Sequence, residues 1–323
     1  MTATTGTGAV VSSTELEAEP VTAPARVRRK LNTRVASVVS IIIAAVWTVP
    51  TFGLFISSIR PENEIKTTGW WTFFTSPSVT LDNYQEVLFG GSASSGQLAS
   101  YFVNSLVITI PSVLFPIAFA ALAAYALSWL KFKGRDWLYI MIFALQIVPL
   151  QMALVPLLKL ISNGVALGGV TLLPPWHLVD EQRFIAVWFA HTCFALPFGI
   201  FLLHNFMSEL PGDLMEAARV DGAGHAVIFR RIVLPLITPA LASLGIFQFL
   251  WVWNDLLVAL VFAGGGDEVA PITLQLANLS GTRGTAWHLL SAGAFVSIIV
   301  PVTVFLLLQR YFVRGLLAGS VKG

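Results

Sequence analysis

Six long apolar runs dominate the pattern of hydrophobic and polar positions along the chain. Each is close to or longer than the roughly 20 residues that a helix needs to cross the hydrocarbon core of a membrane. Backbone groups in lipid have no water to bond, so each run should satisfy its own hydrogen bonds as a helix. The runs are continuous, which excludes the alternating pattern of a transmembrane barrel. The chain is therefore predicted to be an all-α membrane protein with six transmembrane helices, at residues 35–59, 98–130, 137–158, 184–207, 236–262 and 288–309.

The composition agrees with lipid as the solvent. Of the 323 residues, 56% are hydrophobic and 11% are charged, whereas soluble domains carry about 25% charged residues. Cys193 is the only cysteine, so the chain can form neither an internal disulfide nor a cysteine-based metal cluster. Its thiol is expected to behave as a small buried hydrophobe. We therefore assign the chain to the cell membrane as a multi-pass protein.

The distribution of basic residues predicts the orientation. Cytoplasmic segments of membrane proteins carry an excess of lysine and arginine. With a cytoplasmic N-terminus, the inside segments hold 14 of the 19 such residues, so both termini are predicted to be cytoplasmic. The inside residues are Arg26, Arg28, Arg29, Lys30, Arg34, Lys131, Lys133, Arg135, Arg219, Arg230, Arg231, Arg310, Arg314 and Lys322.

Three regions follow from this orientation. Residues 1–30 are rich in Thr, Ala, Ser and Glu and are predicted to form a disordered cytoplasmic tail. Residues 31–312 are predicted to form the six-helix transmembrane domain, and residues 313–323 a cytoplasmic C-terminal tail.

A polar, helix-breaking insert at residues 211–235 separates the fourth and fifth runs on the predicted cytoplasmic side. Asp213 is predicted to cap a short helix, with Glu216 reaching back to it three residues later as in a capping box. Gly222 and Gly224 permit a turn that residues with a Cβ atom would resist. The insert is therefore expected to begin as a short helix followed by a turn.

A second short helix is predicted over His225–Ile232, before Leu234 and Pro235 begin the next span. The two helices carry apolar side chains that a cytoplasmic loop does not need. These are Leu214, Met215, Val220, Ala223, Val227 and Phe229. An exposed apolar patch of this kind indicates a docking site, while an amphipathic linker resting on lipid headgroups is the alternative that the residues alone leave open.

From Glu216 to Pro235 the chain reads EAARVDGAGHAVIFRRIVLP. The Glu-Ala-Ala start, the glycine at Gly222 and the Ile-x-Leu-Pro end stand at the spacing of the EAA loop, and the stretch resembles that loop in ABC-importer permeases. The final residues, QRYFVRGLLAGSVKG, are similar to the C-terminal tail of the maltose-type carbohydrate permeases. The resemblance covers about residues 30–323 and implies the type I ABC-importer permease fold.

The resemblance also implies partners. These are a second permease subunit, two ATP-binding cassette ATPase subunits, an extracytoplasmic sugar-binding protein and a sugar substrate. The insert would receive force from an ATPase subunit through Glu216, Ala217, Ala218, Asp221, Gly222, Gly224, Leu234 and Pro235. The tail would contact the ATPase subunits through Gly315, Gly319, Lys322 and Gly323. ATP and magnesium would be held by those subunits, so this chain is expected to carry no cofactor.

Catalytic chemistry finds no support in the sequence. There is no Gly-Lys-Ser/Thr of a Walker A motif and no His-Glu-x-x-His, and the five histidines are scattered. We therefore predict no catalytic residue and no metal site, and we expect contacts with membrane lipid and sugar but not with nucleic acid.

Polar and aromatic residues inside the apolar runs are candidates for a substrate path. Charged residues within membrane segments usually face a cavity or a partner, and aromatic faces beside polar groups suit sugar rings. At about 1.5 Å per helical residue, Asp255 could instead lie near the outer interface, so interfacial packing stays open as an alternative. The candidates are Asn104, Gln146, Gln151, Trp251, Trp253, Asn254 and Asp255.

The function favoured by the sequence is that of a permease subunit of an ATP-driven sugar importer. An ion-coupled secondary transporter is the alternative, but it should show several intramembrane carboxylates, and only Asp255 qualifies. A membrane-embedded enzyme would need a catalytic cluster. The Trp251–Leu257 segment and the loop at residues 281–284 resemble permeases for α-glucosides such as maltose, trehalose or sucrose.

Overall fold

The fold is described by a computed structural model for residues 23–90, 97–176, 182–281 and 286–320, with side chains described over residues 34–90, 97–176, 183–281 and 286–309. The chain divides after Gly53 into two compact units, and all the features discussed below except most of α1 lie in the larger unit. The helices are α1 (Ala23–Ser58), α2 (Glu62–Thr67), α3 (Asp82–Phe89), α4 (Leu98–Trp129), α5 (Arg135–Ala144), α6 (Leu150–Asn163), α7 (Gln182–Ser208), α8 (Gly212–Val220), α9 (His225–Ile228), α10 (Leu234–Leu236), α11 (Thr238–Trp253), α12 (Leu257–Phe262), α13 (Ile272–Ser280) and α14 (Trp287–Ser320).

Long apolar helices account for most of the membrane-spanning structure. Among the described residues, four single helices are long and apolar enough to cross a membrane, and two bent pairs raise the number to six if each pair is one span. The single helices are Arg34–Ser58, Leu98–Trp129, Arg183–Ser208 and Trp287–Gln309. The bent pairs are Arg135–Ile147 with Leu150–Asn163, at 109°, and His225–Leu236 with Thr238–Trp253, at 73°. The prediction of a multi-pass helical membrane protein is confirmed.

The predicted third span, residues 137–158, is not one helix. A 3-10 turn at Leu145–Ile147 ends α5, and the chain bends sharply before α6 begins at Leu150. Pro149 causes the break, because a proline cannot donate a backbone hydrogen bond and disfavours helical geometry in the residue before it. Val148 accordingly has φ −72° and ψ 118°, outside the helical region.

The predicted fifth span, residues 236–262, is also divided. The helical run from His225 bends at Ile237, α11 ends at Trp253, and α12 is a separate short helix. The second break lies at Asn254 and Asp255, and their side chains bond the neighbouring helix ends. Asn254 Nδ2 donates to the Leu250 carbonyl at 2.7 Å, and Asp255 Oδ2 accepts from the Ala259 N–H at 3.1 Å.

The connections between the predicted third and fourth spans and between the fifth and sixth spans contain secondary structure. An antiparallel hairpin, β1 (Val165–Leu167) and β2 (Val170–Leu173), departs from the all-α prediction, and α13 occupies part of the second loop. The hairpin turn is Gly168-Gly169, and both glycines have positive φ, 57° and 83°. A two-residue hairpin turn of type I′ requires positive φ at both residues, which glycine adopts without strain.

The N-terminal boundary differs from the prediction as well. Helix α1 begins at Ala23, so the last residues assigned to a disordered tail, 23–30, are helical. Proline in the first turn and the helix-forming Ala, Arg, Lys and Leu that follow it explain the earlier start. The rest of the predicted tail, residues 1–22, lies outside the described residues.

Helices α4 and α7 pack along each other at the centre of the larger unit, where small residues allow a close approach. Ala120, Ala121 and Ala124 of α4 are buried. A Cβ atom added to Gly199 of α7 would lie 3.0 Å from the Ala120 Cβ atom. Small residues commonly serve this purpose between transmembrane helices, where packing rather than hydrophobic exclusion drives association.

The segment between α1 and α4 is organised around a buried arginine. The Arg60 side chain is 2% exposed and donates to Glu64 Oε2 at 2.9 Å, to the Gly69 carbonyl at 3.0 Å and to Thr68 Oγ1 at 2.9 Å. Asn83 donates to the Arg60 carbonyl at 2.7 Å. The arginine's bonds satisfy its buried charge. Together with the bond from Asn83, they connect α2, the start of the 3-10 turn at Trp70–Phe74 and α3.

Candidate functional site

The insert at residues 211–235, hereafter the coupling loop, reverses direction at Gly222, the glycine that follows the last turn of α8. Gly222 has φ +83°, its N–H donates to the Arg219 carbonyl at 3.0 Å, and the Ala223 N–H donates to the Ala218 carbonyl at 2.9 Å. This pair of bonds is the Schellman motif, which satisfies the last carbonyls of a helix and needs a left-handed residue at its centre. The sequence therefore determines where α8 ends.

The predicted capping box at the start of α8 is wrong. The helix begins at Gly212, its N-cap is Pro211, and no side-chain cap bond is present at this described N-terminus. Pro211 has φ −60° and precedes the helix, so Asp213 lies inside the first turn, where its charge suits the positive end of the helix dipole. Glu216 is consequently exposed rather than folded back on the helix start.

One face of the coupling loop is anchored in the bundle. Met215, Ile228 and Val233 are at most 2% exposed, and they belong to the same core cluster as Ala124 of α4 and Leu203 of α7. The expectation that Met215 is exposed is therefore wrong, because the 3.6-residue period turns it toward the core.

The opposite face of the loop is open. Leu214, Val220 and Val227 are 45%, 87% and 43% exposed. Much of their apolar surface is therefore not covered by the rest of the chain. The coupling residues predicted from the sequence divide between the faces. Ala218 is 9% exposed and packs inward, Leu234 is half-buried, and the exposed members are Glu216, Ala217, Asp221, Gly222, Gly224 and Pro235.

A tyrosine of α4 holds the second half of the loop. The Tyr125 hydroxyl lies 2.9 Å from Nδ1 of His225, the first residue of α9. Its ring meets the Phe229 ring edge-on, with centroids 5.2 Å apart. Sequence reasoning missed this contact, because no local pattern relates α4 to the loop.

The junction between the loop and the next helix is helical throughout. The second short helix predicted over His225–Ile232 is α9 followed by a π-helical segment at Phe229–Val233, which leads directly into α10. Pro235 lacks the N–H that an α-helix would require, and a π segment is a common way to accommodate such an interruption. The backbone of the loop is therefore helical from His225 through α10, up to the bend at Ile237.

The predicted contact residues of the C-terminal tail are only partly described. Helix α14 continues to Ser320, so Gly315 and Gly319 lie on its helical backbone. Lys322 and Gly323 lie outside the described residues.

Two residues of the predicted substrate path are buried and donate hydrogen bonds to backbone carbonyls. Asn104 is 9% exposed and donates to the backbone carbonyls of Asp267 and Ala270 at 3.2 and 3.1 Å. Trp253 is 1% exposed, and its Nε1 donates to the Ser297 carbonyl at 3.2 Å.

Asn254 and Asp255 lie at the break between α11 and α12, where their side-chain bonds close the helix ends. Asp255 Oδ2 also lies 3.8 Å from Nε2 of His191, which is buried and has no hydrogen-bond partner among the described residues. Gln151, the next candidate, is exposed on α6.

Gln146 and Trp251 do come together. They line a cavity of about 650 Å³ where the α5–α6 break faces α7 and the end of α11. Sequence reasoning missed the other lining residues, among them Cys193, Phe194 and Phe198 of α7. Pro149 was the available signal, because irregular backbone at membrane depth is tolerated where it lines a cavity or is buried in protein.

Helices of this length and the two bent pairs are those of a multi-pass membrane protein, and its loop has one anchored and one open face. The chain belongs to the family of binding-protein-dependent transport system inner membrane components, whose model matches residues 116–317. The predicted resemblance to ABC-importer permeases and the inner-membrane location are thereby confirmed.

Characterised relatives span most of the chain. It is 52% identical over 284 residues to the osmoprotective compounds uptake permease protein GgtD of Synechocystis sp., covering 87% of this chain and 89% of the relative. It is 49% identical over 278 residues to the alpha-glucoside transport system permease protein AglG of Rhizobium meliloti, covering 85% and 70%. It is 30% identical over 299 residues to the melibiose/raffinose/stachyose import permease protein MelC of Bacillus subtilis, covering 92% and 100%.

A solved structure shares the fold. A chain of a bacterial ABC transporter involved in the import of the acidic polysaccharide alginate superposes with a TM-score of 0.66 at 21% identity, covering 88% of this chain and 97% of that chain. The fold is therefore that of an ABC-importer permease.

Proposed function

We propose that this chain is the permease subunit of an ATP-driven sugar importer and that the coupling loop is its contact with an ATPase subunit. The observation that carries the proposal is the division of the loop into two faces. Met215 and Ile228 anchor it to the bundle, while Leu214, Val220 and Val227 remain exposed. Membership of a family of inner membrane components of transport systems supports another subunit as the partner of the exposed face.

The proposed topology has six spans, with both termini and the coupling loop in the cytoplasm. It counts each bent helix pair as one span. Its support is the excess of lysine and arginine in the segments that this orientation makes cytoplasmic, 14 of 19.

In the proposed mechanism the loop moves as a rigid body with the ATPase subunit. The Schellman turn at Gly222 and the buried anchors keep α8 and α9 in a fixed arrangement, so displacement of the exposed face displaces the helices behind it. Glu216 and Asp221 are exposed carboxylates on that face and would make polar contacts with the partner.

The complete transporter would contain a second permease subunit, two ATPase subunits and an extracytoplasmic sugar-binding protein. ATP and magnesium would be bound by the ATPase subunits. The C-terminal tail would add a second contact with them through Gly315, Gly319, Lys322 and Gly323. A chain of the alginate transporter crystallised with a substrate-bound periplasmic protein has the same fold as this chain, which supports a binding-protein partner.

The proposed substrate is an α-glucoside or a related oligosaccharide. The names of AglG and MelC support a glycoside substrate, although GgtD carries a broader description. Within this chain, Gln146 and Trp251 are the substrate-path candidates that share a cavity, and they offer an amide and an aromatic face. Competition for uptake among labelled maltose, trehalose, sucrose and glucose tests the class, and preference for glucose would contradict it.

The docking assignment is tested by co-purification of the ATPase subunits with loop variants. Glu216→Lys reverses an exposed charge, and Gly222→Asp adds a side chain to the exposed turn and strains its backbone, which has φ +83°. Both are expected to reduce co-purification and ATP-dependent uptake. Glu86→Lys is the matched control, an equal charge reversal at an exposed position of α3, and it should retain full association. Normal association and uptake in both loop variants would contradict the assignment.

A further inference from the structure

The contact between Tyr125 and His225 joins the coupling loop to a helix that runs through the whole bundle. Tyr125 is 7% exposed, whereas His225 is exposed on the loop, so one hydrogen bond connects the bundle interior to the loop surface. The Tyr125 hydroxyl also lies 3.4 Å from the His225 carbonyl, and the two rings meet edge-on at 6.0 Å. Any displacement of α9 must therefore either carry Tyr125 with it or break these contacts.

The other end of α4 is bonded just as firmly to a different segment. Tyr101 donates to the Asp267 carboxylate at 2.6 Å, Asn104 donates to the Ala270 carbonyl at 3.1 Å, and Ser105 Oγ accepts from the Ile272 N–H at 2.8 Å. These three residues lie in the first turns of α4 and hold the segment that leads into α13.

That segment reaches the break between α11 and α12. Thr273 at the start of α13 donates through Oγ1 to the Asp255 carbonyl at 2.9 Å. Helix α4 is continuous from Leu98 to Trp129, so it links this break to the coupling loop with polar bonds at each end. Pro111 and Pro116 lie inside this helix, and α7 packs against it both near Ile108 and near Ala120 to Ala124.

We propose that Tyr125 and His225 are positioning residues that pass movement of the coupling loop into α4 and, through Tyr101, Asn104 and Ser105, to residues 267–273. The proposal rests on the proposed function, because it takes the loop as the part that the ATPase subunit moves. It requires that the nucleotide state of the ATPase subunits alters the backbone dynamics of residues 267–273, and that this effect depends on the Tyr125–His225 hydrogen bond.

The test uses the complete transporter, assembled with its ATPase subunits, and compares amide hydrogen exchange with and without ATP and vanadate. The readout is the nucleotide-dependent difference in exchange at residues 267–276. Tyr125→Phe removes the hydroxyl but keeps the ring against Phe229, and His225→Phe removes Nδ1 but keeps a ring. Losing one hydrogen bond should reduce the difference by about three- to tenfold.

Two controls separate transmission from general damage. Tyr139→Phe removes another tyrosine hydroxyl, which donates to Asn205 Oδ1 of α7 at 3.3 Å rather than to a residue of the loop. This change should leave the nucleotide-dependent difference intact. His225→Asn keeps a hydrogen-bonding group near Nδ1 and should restore much of the effect. The double variant of Tyr125 and His225 should be no worse than Tyr125→Phe alone, because that change already removes both contacts of the hydroxyl with His225.

The outcomes distinguish this proposal from the proposed function. Transporter that assembles normally but keeps the full nucleotide-dependent difference in Tyr125→Phe would overturn the transmission proposal alone. The same holds if the wild-type complex shows no difference at residues 267–276, or if the two single changes are additive. A chain that forms no complex with ATPase subunits would refute the proposed function, and the transmission proposal with it.

Discussion

Replacing Gly222 with alanine tests how the coupling loop keeps its shape. A Cβ atom at this position would have no neighbour within 4 Å, so the change introduces no steric clash. The backbone, however, has φ +83°. A residue with a Cβ atom pays about 1–2 kcal/mol to adopt the left-handed conformation. The whole cost should therefore appear as weakening of the Schellman turn.

Gly224 provides a matched control two residues away. It has φ −75° and ψ 165°, which alanine adopts freely, and a Cβ there also meets open space. Gly224→Ala should leave the loop unchanged, or stabilise it by about 0.4–1 kcal/mol through the unfolded state. Gly222→Asn should cost less than Gly222→Ala, because asparagine tolerates the left-handed region better than other residues with a Cβ atom.

The assay is amide hydrogen exchange at positions 222 and 223, whose N–H groups make the two bonds of the motif. A loss of about 1–2 kcal/mol corresponds to roughly 5- to 30-fold faster exchange through local opening. Equal exchange in Gly222→Ala and Gly224→Ala would show that the positive φ does not hold the turn, and the reasoning would fail.

Three further predictions follow from burial. Met215→Ala should lower stability at α8 by about 2–5 kcal/mol, because removing a side chain that is 2% exposed leaves a cavity. Leu214→Ala, at a position that is 45% exposed, should change thermal stability little. Trp251→Ala should lower sugar uptake without reducing co-purification of the ATPase subunits, since the residue lines the cavity and not the loop. Arg60→Met should leave the Gly69 carbonyl and Glu64 Oε2 without their arginine donor and so destabilise residues 60–83 by about 1–3 kcal/mol. The measurement is faster amide hydrogen exchange in that segment.

The sequence predicts those parts of the fold that depend on local pattern. Apolar runs predicted the four long single helices, and Gly222 predicted the turn of the loop. Local rules also explain most of the errors. Pro149 was enough to divide the third span, and Gly168-Gly169 was enough to predict the hairpin. The capping box failed because Pro211 is the N-cap of α8, so the helix begins at Gly212, two residues earlier than an Asp213 cap would start it.

Other features depend on contacts that no local pattern contains. Tyr125 and His225 are 100 residues apart, and only the packing of α4 against the loop brings them together. The polar residues of the substrate path illustrate the same limit. Asn104 and Gln146 look alike in the sequence, yet Asn104 bonds a buried backbone and Gln146 lines a cavity. Which neighbour a polar side chain finds is decided by tertiary packing.

Docking of the coupling loop on an ATPase subunit is tested most directly by site-specific crosslinking in the assembled transporter. Cys193 is the only native cysteine, so its replacement by alanine gives a background into which single cysteines can be introduced. Val220→Cys, at 87% exposure on the loop, should crosslink to the ATPase subunit, and Leu167→Cys, at 73% exposure in the hairpin, should not. An ATPase adduct at position 167 and none at position 220 would contradict the docking surface and the orientation together.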